Sequence, residues 1–544
     1  MPRAKLGYDW SKAIIVSKLT TTPFTSCHSI HSNLHNRITV YRTGQCLLNP
    51  CVVLPLALAC CPVTIAASSV PTHPVTTTSG VLTGIVDEEG IQSFKGIRYA
   101  RSPTGRHRWQ PPRPFRSQRP LSATSYGPRC LQATRQPATD LSEDCLFLNV
   151  WTPSPQGSLP VMVNIHGGGF RAGSGNASSH LAREDVVYVT MNYRLGPLGF
   201  FAHDALKQQE ANFGLLDIML ALRWVQDNIA AFGGDRRKVT IFGVSAGGMA
   251  VNLLMANPAS TDLFRGAISQ SGYATWALPR SRHAPPSDVR NMYLAPAAKA
   301  ETLGRNLIAS ITDENHTAQI LRRLDGEGLV NALRGFQLPI VDGRSVPEEP
   351  GIQFMSGHQQ PVPYISGGNS FEGSVMPASG ISPEDYQLYW GAMFESTARL
   401  YKDDFNIESV QGIRRMFGDH RYLLSAHVLT NAMAKINVPS WRYYIDHADE
   451  DKPGTNHGMD GYYLLSGHRL PSGPTRDMAL RLRQHWLLFA KTGAPGATWP
   501  TSDQQGHWYI FDKTDHIGDV LTAKLDLMVD HYLKRTAVQA PAAP

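Results

Sequence analysis

The stretch FGGDRRKVTIFGVSAGG, residues 232–248, decides the fold because it indicates a strand that delivers a serine onto a tight turn. Residues 238–242 are a short β-rich run typical of buried parallel strands, and Ala246–Met255 is an apolar helix opening. Ser245 stands between them, with a glycine two residues to either side. A strained turn from strand into helix exposes a serine only where neighbouring side chains are absent. Ser245 is therefore a candidate nucleophile.

A second glycine-rich stretch, HGGGF at 166–170, directly follows the apolar run Leu159–Ile165, which is predicted to be a strand. Attack of a serine on an acyl group builds negative charge on the carbonyl oxygen, and consecutive glycines let backbone N–H groups approach that charge without side-chain collision. The sequence therefore predicts an oxyanion hole made by the N–H groups of Gly168, Gly169 and Ala246, the residue after the candidate nucleophile.

These motifs are part of a longer set that resembles the type B carboxylesterases, the cholinesterase and carboxylesterase branch of the α/β-hydrolase fold. The block 232–247 fits that family's serine signature, and EDCLFLNVWTP at 143–153 fits its second signature, except that Phe147 replaces the usual tyrosine. Further similar stretches are FKGIRYA (94–100), NYRLG (192–196), NFGLLD (212–217) and FAKTG (489–493). The resemblance covers about residues 81 to 500. It implies a serine hydrolase that acts without a cofactor.

Two further residues of the predicted site follow the nucleophile in the chain. In this fold the order is serine, then acid, then histidine. The strand-like run 362–366 leads into GGNSFEG at 367–373, which resembles the family's acid turn, with Glu372 as the acid. Ser271, in ISQSG, also matches a family position, and we interpret it as a structural residue that holds the end of the next strand.

The general base is assigned to His457. The strand-like run 441–446 leads into TNHGMD at 455–460, which resembles the family's histidine loop. Most of the 20 histidines of the chain are expected to be surface or core side chains. The nearby alternatives are His447, which lies at a strand end, and His468, which lies beyond an aromatic run. His457 is preferred because it lies between asparagine and glycine on a loop past a strand.

Two departures from the family pattern concern cationic substrates. Many relatives carry a glutamate immediately before the nucleophile, where this chain has Val244. Cholinesterases place a choline-binding tryptophan in the loop that corresponds to the segment between Cys130 and Cys145, and this segment contains no tryptophan. The sequence therefore predicts that neutral esters are preferred to choline esters.

Charge and cysteine use separate residues 1–67 from the rest of the chain. The segment carries +5 of the formal net charge of +7, so the remainder is nearly balanced and gives no reason to expect a nucleic-acid partner. It also holds five of the seven cysteines. The other two, Cys130 and Cys145, are predicted to form one disulfide in an oxidising compartment, worth about 3 kcal/mol by loop closure. Two free thiols in a reducing cytosol are the alternative.

Residues 50–63 are wholly nonpolar and precede a run of small residues, a pattern typical of a secretory signal and too short for a membrane span. The predicted product is a soluble protein, secreted or periplasmic, that begins near Ser68 or Ser69. A start codon assigned too far upstream would explain the depth of the signal in the chain. A lipid anchor on Cys60 or Cys61 is the alternative.

Residues 68–544 are predicted to form a single α/β domain. Apolar strands alternate with helical patterns, which favours a mainly parallel central sheet flanked by helices. Residues 275–360 and 380–436 are expected to be helical insertions around the active site. We find no metal-ligand cluster and no dinucleotide fingerprint in the sequence. Asn176 and Asn315 stand in glycosylation sequons, which matter only in a eukaryotic secretory host.

The sequence thus predicts a serine carboxylic ester hydrolase for neutral esters, in which Ser245 forms an acyl-enzyme. The alternatives are a lipase, an amidase, or an esterase for one toxin or secondary metabolite. A cholinesterase-like binding module that keeps the fold without catalysis is a further alternative. The predicted partner is a small ester substrate, and the oligomeric state is not predicted.

Overall fold

The computed structural model describes residues 70–136, 138–177, 180–313, 317–448, 452–502 and 507–537. The predicted leader, its cleavage site at Ser68 or Ser69, the cysteines Cys60 and Cys61, and the sequon asparagine Asn315 lie outside the described residues.

A twelve-stranded sheet organises the described chain. Its order is β1 (Val70–Pro71), β4 (Ile85–Val86), β5 (Gln92–Arg98), β9 (Phe147–Thr152), β11 (Val187–Met191), β10 (Leu159–Ile165), β12 (Gly234–Val244), β13 (Gly266–Gln270), β14 (Tyr364–Asn369), β15 (Ser440–Ile445), β16 (His507–Phe511) and β17 (His516–Asp519). The consecutive strands from β11 to β16 run parallel, and the strands at both edges pair antiparallel. The predicted mainly parallel sheet is thus confirmed.

Shorter strands lie outside this sheet. A three-stranded sheet contains β2 (Val75–Thr77), β3 (Gly80–Thr83) and β6 (Pro120–Ser122), and a two-stranded pair contains β7 (Arg129–Cys130) and β8 (Leu141–Ser142).

Helices cover both faces of the sheet and fill the two predicted insertions. They are α1 (Gly196–Gly199), α2 (Phe213–Asn228), α3 (Ala246–Met255), α4 (Ala300–Ala309), α5 (Ala318–Leu321), α6 (Gly326–Ala332), α7 (Pro350–Met355), α8 (Met376–Ser379), α9 (Pro383–Trp390), α10 (Phe394–Ala398), α11 (Lys402–Ile407), α12 (Ser409–Gly418), α13 (Leu424–Lys435), α14 (Met459–Ser466), α15 (Pro474–Thr492) and α16 (Thr522–Thr536). A π-helical turn, Asp419–Leu423, joins α12 to α13. Helices α4 to α7 lie between β13 and β14, and α9 to α13 lie between β14 and β15.

Alternating residues of the central strands supply two separate cores. In β10, Val161 and Val163 join one buried cluster, whereas Met162 joins a second cluster with Phe242 and Ile268. Successive side chains of a strand point to opposite faces, so a parallel sheet covered on both faces requires apolar residues at nearly every position. This requirement explains the continuous apolar run of β10.

The acid strand differs from its prediction. Residues 367–369, predicted to begin the acid loop, continue β14, and their partners in β15 are Tyr443, Tyr444 and Ile445. Backbone pairing with β15 extends the strand through Gly367 and Gly368 despite their preference for turns. Gly367 packs so closely against β15 that a side chain at this position would overlap Tyr443. The loop therefore begins only at Ser370.

No helix among the described residues has the length and apolar character needed to cross a membrane.

Candidate active site

Ser245 lies at the carboxyl end of β12, on the turn into α3. Its backbone has φ 59° and ψ −119°, an unusual conformation for a residue with a side chain, and the residue is 9% exposed. The backbone N–H of Ser245 donates to the carbonyl of Gln270 at 2.8 Å, which ties the turn to the end of β13. The turn therefore holds the serine at the edge where parallel strands end.

Sterics explain the glycines on either side of this serine. A Cβ placed at Gly247 would overlap the carbonyl oxygen of Ile165, and one at Gly243 would overlap both Ile165 and Gly247. The turn thus packs directly against the end of β10. This packing leaves no room for a side chain at Gly243 or Gly247, as the glycine spacing predicts.

The glycine loop after β10 lies beside Ser245. A Cβ at Gly167 would overlap the carbonyl of Val244 and lie 3.3 Å from the Cβ of Ser245. Gly168 and Gly169 have φ of 110° and 63°, so both occupy conformations that favour glycine. Among the described residues, the N–H groups of Gly168, Gly169 and Ala246 have no hydrogen-bond acceptor. No acceptor of the described residues therefore occupies these three N–H groups, which were predicted to form the oxyanion hole.

The histidine that opens this loop has a supporting position. His166 stacks on Tyr193 with ring centroids 4.3 Å apart, and the Tyr193 hydroxyl donates to the carbonyl of His166 at 2.6 Å. Burial lowers the pKa of His166 to about 4, so its ring is neutral at physiological pH. The loop is therefore anchored by packing that adds no charge beside the oxyanion donors.

Glu372 and His457 are brought together from segments 85 residues apart. Nδ1 of His457 is hydrogen-bonded to Oε2 of Glu372, and the carboxylate is 1% exposed. The backbone N–H of Asn369 donates to Oε1 at 2.7 Å, and the side-chain amide of Asn369 donates to it at 3.0 Å. Nε2 of His457 is buried and has no hydrogen-bond partner among the described residues.

The elements that carry Ser245 and His457 are in contact with each other. Helix α14 begins two residues after His457, and a Cβ at its residue Gly461 would overlap the side chain of Val244. No hydrogen bond joins Ser245 to His457 in the described structure. Such bonds are often long before substrate binds and shorten in the complex.

The two alternative histidines lie elsewhere. Nε2 of His447 is 3.0 Å from the Thr475 hydroxyl, and Nδ1 of His468 is 3.2 Å from a guanidinium nitrogen of Arg483. Burial, together with nearby cationic groups, lowers the pKa of His468 to about 4. Of the three candidates, only His457 contacts Glu372.

A buried polar network behind Glu372 was missed by the sequence analysis. The Ser271 hydroxyl is 2.6 Å from Oε1 of Glu372 and 3.2 Å from Oδ2 of Asp460, which also accepts from the Tyr443 hydroxyl at 2.7 Å. Burial, followed by the charge of Glu372, raises the pKa of Asp460. The N–H of Ser271 donates to Gly367, as expected for a residue that holds a strand end, but its side chain also contacts the acid.

The signal for this network was already in the histidine loop. Asp460 stands three residues after His457, on the first turn of α14, and the motif match included it without assigning it a role. Side chains of a helix tilt toward its amino terminus, so Asp460, on the first turn of α14, points back toward the loop that carries His457.

Cys130 and Cys145 form a disulfide with their Cα atoms 4.9 Å apart, as predicted. The bridge closes the segment that contains no tryptophan. Both cysteines are buried, so the bridge fixes the base of this segment beside the core.

Comparison with known proteins decides the class of protein to which these features belong. The model of the Carboxylesterase family matches residues 71–540. The chain belongs to the carboxylesterase family. As a member it is a carboxylic ester hydrolase of the α/β-hydrolase fold, and the predicted family, fold and enzyme class are confirmed. The family typically works through a serine acyl-enzyme.

Several relatives extend over most of this carboxylesterase. It is 32% identical over 495 residues to a protein named Fumonisin B1 esterase from Sphingopyxis macrogoltabida, covering 82% of this chain and 85% of the relative. It is 32% identical over 478 residues to Para-nitrobenzyl esterase from Bacillus subtilis (strain 168), covering 80% of this chain and 94% of the relative. A solved structure titled PNB esterase matches with a TM-score of 0.71 and 29% identity, covering 84% of this carboxylesterase and 100% of that chain.

Proposed function

We propose that this carboxylesterase cleaves its substrates with Ser245 as nucleophile, His457 as general base and acid, and Glu372 as the carboxylate that orients the imidazole. The observation that carries the proposal is the orientation of His457. Glu372 holds Nδ1, which leaves the buried Nε2 free for a proton from a hydroxyl.

In the proposed mechanism, Ser245 Oγ bonds to the ester carbonyl carbon while its proton passes to Nε2 of His457. The carbonyl oxygen becomes an oxyanion held by the N–H groups of Gly168, Gly169 and Ala246. The carbon–oxygen bond to the alcohol then breaks, and His457 returns the proton to that alcohol. Water, deprotonated by His457, attacks the acyl-enzyme and releases the acid and the free serine.

Four variants test the roles of Ser245 and His457. Ser245→Ala should abolish ester hydrolysis and fluorophosphonate labelling and leave the fold intact, with a loss in kcat on the order of 10⁶. His457→Ala should cause a comparable loss in kcat, whereas His447→Ala and His468→Ala should change kcat only slightly. Wild-type turnover by Ser245→Ala would refute the assignment. Equal losses at all three histidines would refute the choice of His457.

The proposed general substrates are esters without a cationic group, such as phenyl acetate. Val244 and the tryptophan-free segment between Cys130 and Cys145 support this, because both positions lack a group that attracts a quaternary ammonium. A narrower candidate is an esterase for one natural toxin, which is supported by the similarity to the protein named Fumonisin B1 esterase. An ester panel with p-nitrophenyl esters of increasing chain length separates general, lipase-like and narrow activity.

We also propose that residues 1–67 are a leader and that residues 68–544 are the exported enzyme. The disulfide between Cys130 and Cys145 is compatible with an oxidising compartment. Amino-terminal sequencing of the protein from its native host should find a chain that begins near Ser68 or Ser69. A chain that still begins near Met1, or a lipid on Cys60 or Cys61, would refute this proposal.

A further inference from the structure

A buried arginine lies in the π-helical turn Asp419–Leu423, outside the catalytic groups named above. Arg421 is 2% exposed, and aromatic rings surround its guanidinium. The Cζ atom lies 4.5 Å from the ring centroid of Tyr273, 4.4 Å from that of Trp276 and 5.7 Å from that of Phe336. π-Helical turns are rare and are frequent at functional sites.

Arg421 differs from two other buried arginines, Arg194 and Arg535, in its lack of an acidic partner. Arg194 pairs with Asp217 at 2.8 Å, and Arg535 pairs with Glu349 at 2.6 Å. No carboxylate of the described residues lies within 4.0 Å of Arg421, and its Nε and Nη2 atoms have no hydrogen-bond partner there. A buried cation is costly unless an anion and hydrogen bonds compensate it.

The nearby acidic residues do not pair with Arg421. Asp419 belongs to the same turn, but both of its carboxylate oxygens are buried without a hydrogen-bond partner among the described residues. Burial raises the pKa of Asp419 to about 6, although Lys524 and Arg415 act to lower it. Glu372 holds His457 and accepts further hydrogen bonds. Neither acid therefore compensates Arg421.

The guanidinium lies between the elements that flank Ser245. Tyr422, the next residue, packs on the ring of His457 with centroids 4.6 Å apart. Phe336 packs against Gly169 of the oxyanion loop so closely that a Cβ there would overlap its ring. Arg421 is thus one side chain away from both the base and the oxyanion donors.

Two tyrosine hydroxyls accompany this guanidinium. The hydroxyls of Tyr273 and Tyr422 are buried beside the Arg421 guanidinium, and no other group in the described part of the chain is hydrogen-bonded to them. Burial raises the pKa of Tyr273 to about 12 and raises that of Tyr422 further, while nearby Arg421 lowers both. Both groups therefore stay protonated and can donate. A guanidinium and two hydroxyls together supply the kind of hydrogen-bond donors that a carboxylate accepts.

We propose that Arg421, assisted by Tyr273 and Tyr422, binds a carboxylate of the substrate, so that the preferred esters carry a free carboxylate in addition to the scissile ester bond. Monoesters of dicarboxylic acids are the simplest such compounds. The proposal rests on the proposed catalytic site at Ser245, because it places the carboxylate beside that site. Either the acyl part or the alcohol part of the ester can present this group.

Matched ester pairs test the proposal in a pH-stat at pH 7.5. Monoethyl glutarate against ethyl pentanoate tests a carboxylate on the acyl part, and 4-acetoxybutanoate against butyl acetate tests one on the alcohol part. For the wild type we expect kcat/KM to favour the carboxylate member of one pair. Arg421→Met should lower that ratio about 10- to 100-fold, since hydrogen bonds between charged groups are the strong ones. The ratio for Arg421→Lys should lie between those of the wild type and Arg421→Met.

The matched control is Arg399→Gln, an exposed arginine in the same 380–436 insertion, which should leave the ratio unchanged. If Arg421→Met does not fold by circular dichroism, Arg421→Lys and Tyr273→Phe replace it, and both should lower the ratio. The proposal is wrong if the wild type favours the uncharged member of both pairs. It is also wrong if the Arg421 variants keep the wild-type ratio.

Binding without turnover separates this inference from the proposed mechanism. Calorimetry on Ser245→Ala with the carboxylate ester that the wild type prefers, monoethyl glutarate or 4-acetoxybutanoate, should show binding that Arg421→Met, introduced into the same background, weakens about 10- to 100-fold. If Ser245→Ala remains an active esterase, the proposed mechanism fails while this binding result still stands. No difference in binding between the two proteins would overturn the role of Arg421.

Discussion

The Oγ atom of Ser271 lies 2.6 Å from Oε1 of Glu372, the carboxylate whose other oxygen is hydrogen-bonded to His457. A serine at the end of β13 thus supports an acid that follows β14 and a histidine that follows β15. These strands are neighbours in the sheet, so their carboxyl ends bring together residues that are distant in sequence.

Ser271→Ala should lower kcat for phenyl acetate about 10- to 100-fold with little change in KM, because a hydrogen bond to a buried charged group is worth about 1.5–3 kcal/mol. Steady-state kinetics measures the effect. Ser269→Ala is the control, since that buried hydroxyl, on the same strand, donates to the neutral carbonyl of Gly248 at 3.1 Å. Equal losses in the two variants would contradict a role for Ser271 in orienting Glu372.

Gly169→Ala should reduce kcat by about 10²- to 10³-fold, the range seen when one oxyanion donor is lost. The new Cβ would overlap Phe336 at a backbone φ of 63° and displace the loop. The rate of fluorophosphonate labelling should fall in parallel. Gly90→Ala controls for backbone strain, because Gly90 also has positive φ, at 83°, but has open space around it. Normal labelling of Gly169→Ala would argue against this loop as the oxyanion hole.

Phenyl acetate should be a better substrate than acetylthiocholine. Each of the two missing cation contacts would be worth about 1 to 2 kcal/mol on a desolvated cation. Their absence predicts that kcat/KM for phenyl acetate exceeds that for acetylthiocholine by about 10- to 10³-fold. The buried positive charge of Arg421 acts in the same direction, because it repels a quaternary ammonium. Kinetics at equal enzyme concentration measures the ratio. A clear preference for the thiocholine ester would overturn the prediction.

Acid should destabilise the enzyme through its buried histidines. Burial, followed by the charge of Arg442, lowers the pKa of His427 from 6.5 to about 3. Below pH 6.5 the unfolded chain binds a proton at this residue that the folded chain refuses until about pH 3, so stability falls as pH drops through this window. At pH 5, His427 lowers the free energy of unfolding by about 2 kcal/mol relative to neutral pH.

His427→Gln should therefore lose about 2 kcal/mol less unfolding free energy than the wild type when the pH changes from 7.5 to 5. Urea unfolding at the two pH values measures this. His358→Gln, at an exposed position, should follow the wild type. An unchanged pH dependence in His427→Gln would show that this histidine is not held neutral by the fold.

The local structure around Ser245, which depends on neighbours in sequence, agrees with its prediction. The turn at Ser245 needs a strand, two glycines and a helix within a few residues, and local sterics impose this pattern wherever the turn occurs. The same holds for the run Leu159–Ile165, predicted as a strand and observed as β10 with the same bounds. Glu372 and His457 were predicted as catalytic residues through motif resemblance rather than through any physical rule about their spacing, and the structure places them in contact.

Only the tertiary structure showed what surrounds these residues. The length of β14 depended on pairing with β15, and the hydrogen bond of Ser271 to Glu372 depended on adjacent strand ends. Arg421 stands in an ordinary polar run of the sequence, and its rings come from segments as far away as Tyr273 and Phe336. The burial of a side chain and the charges beside it depend on contacts with segments that are distant in sequence. A local pattern of residues therefore does not determine either of them.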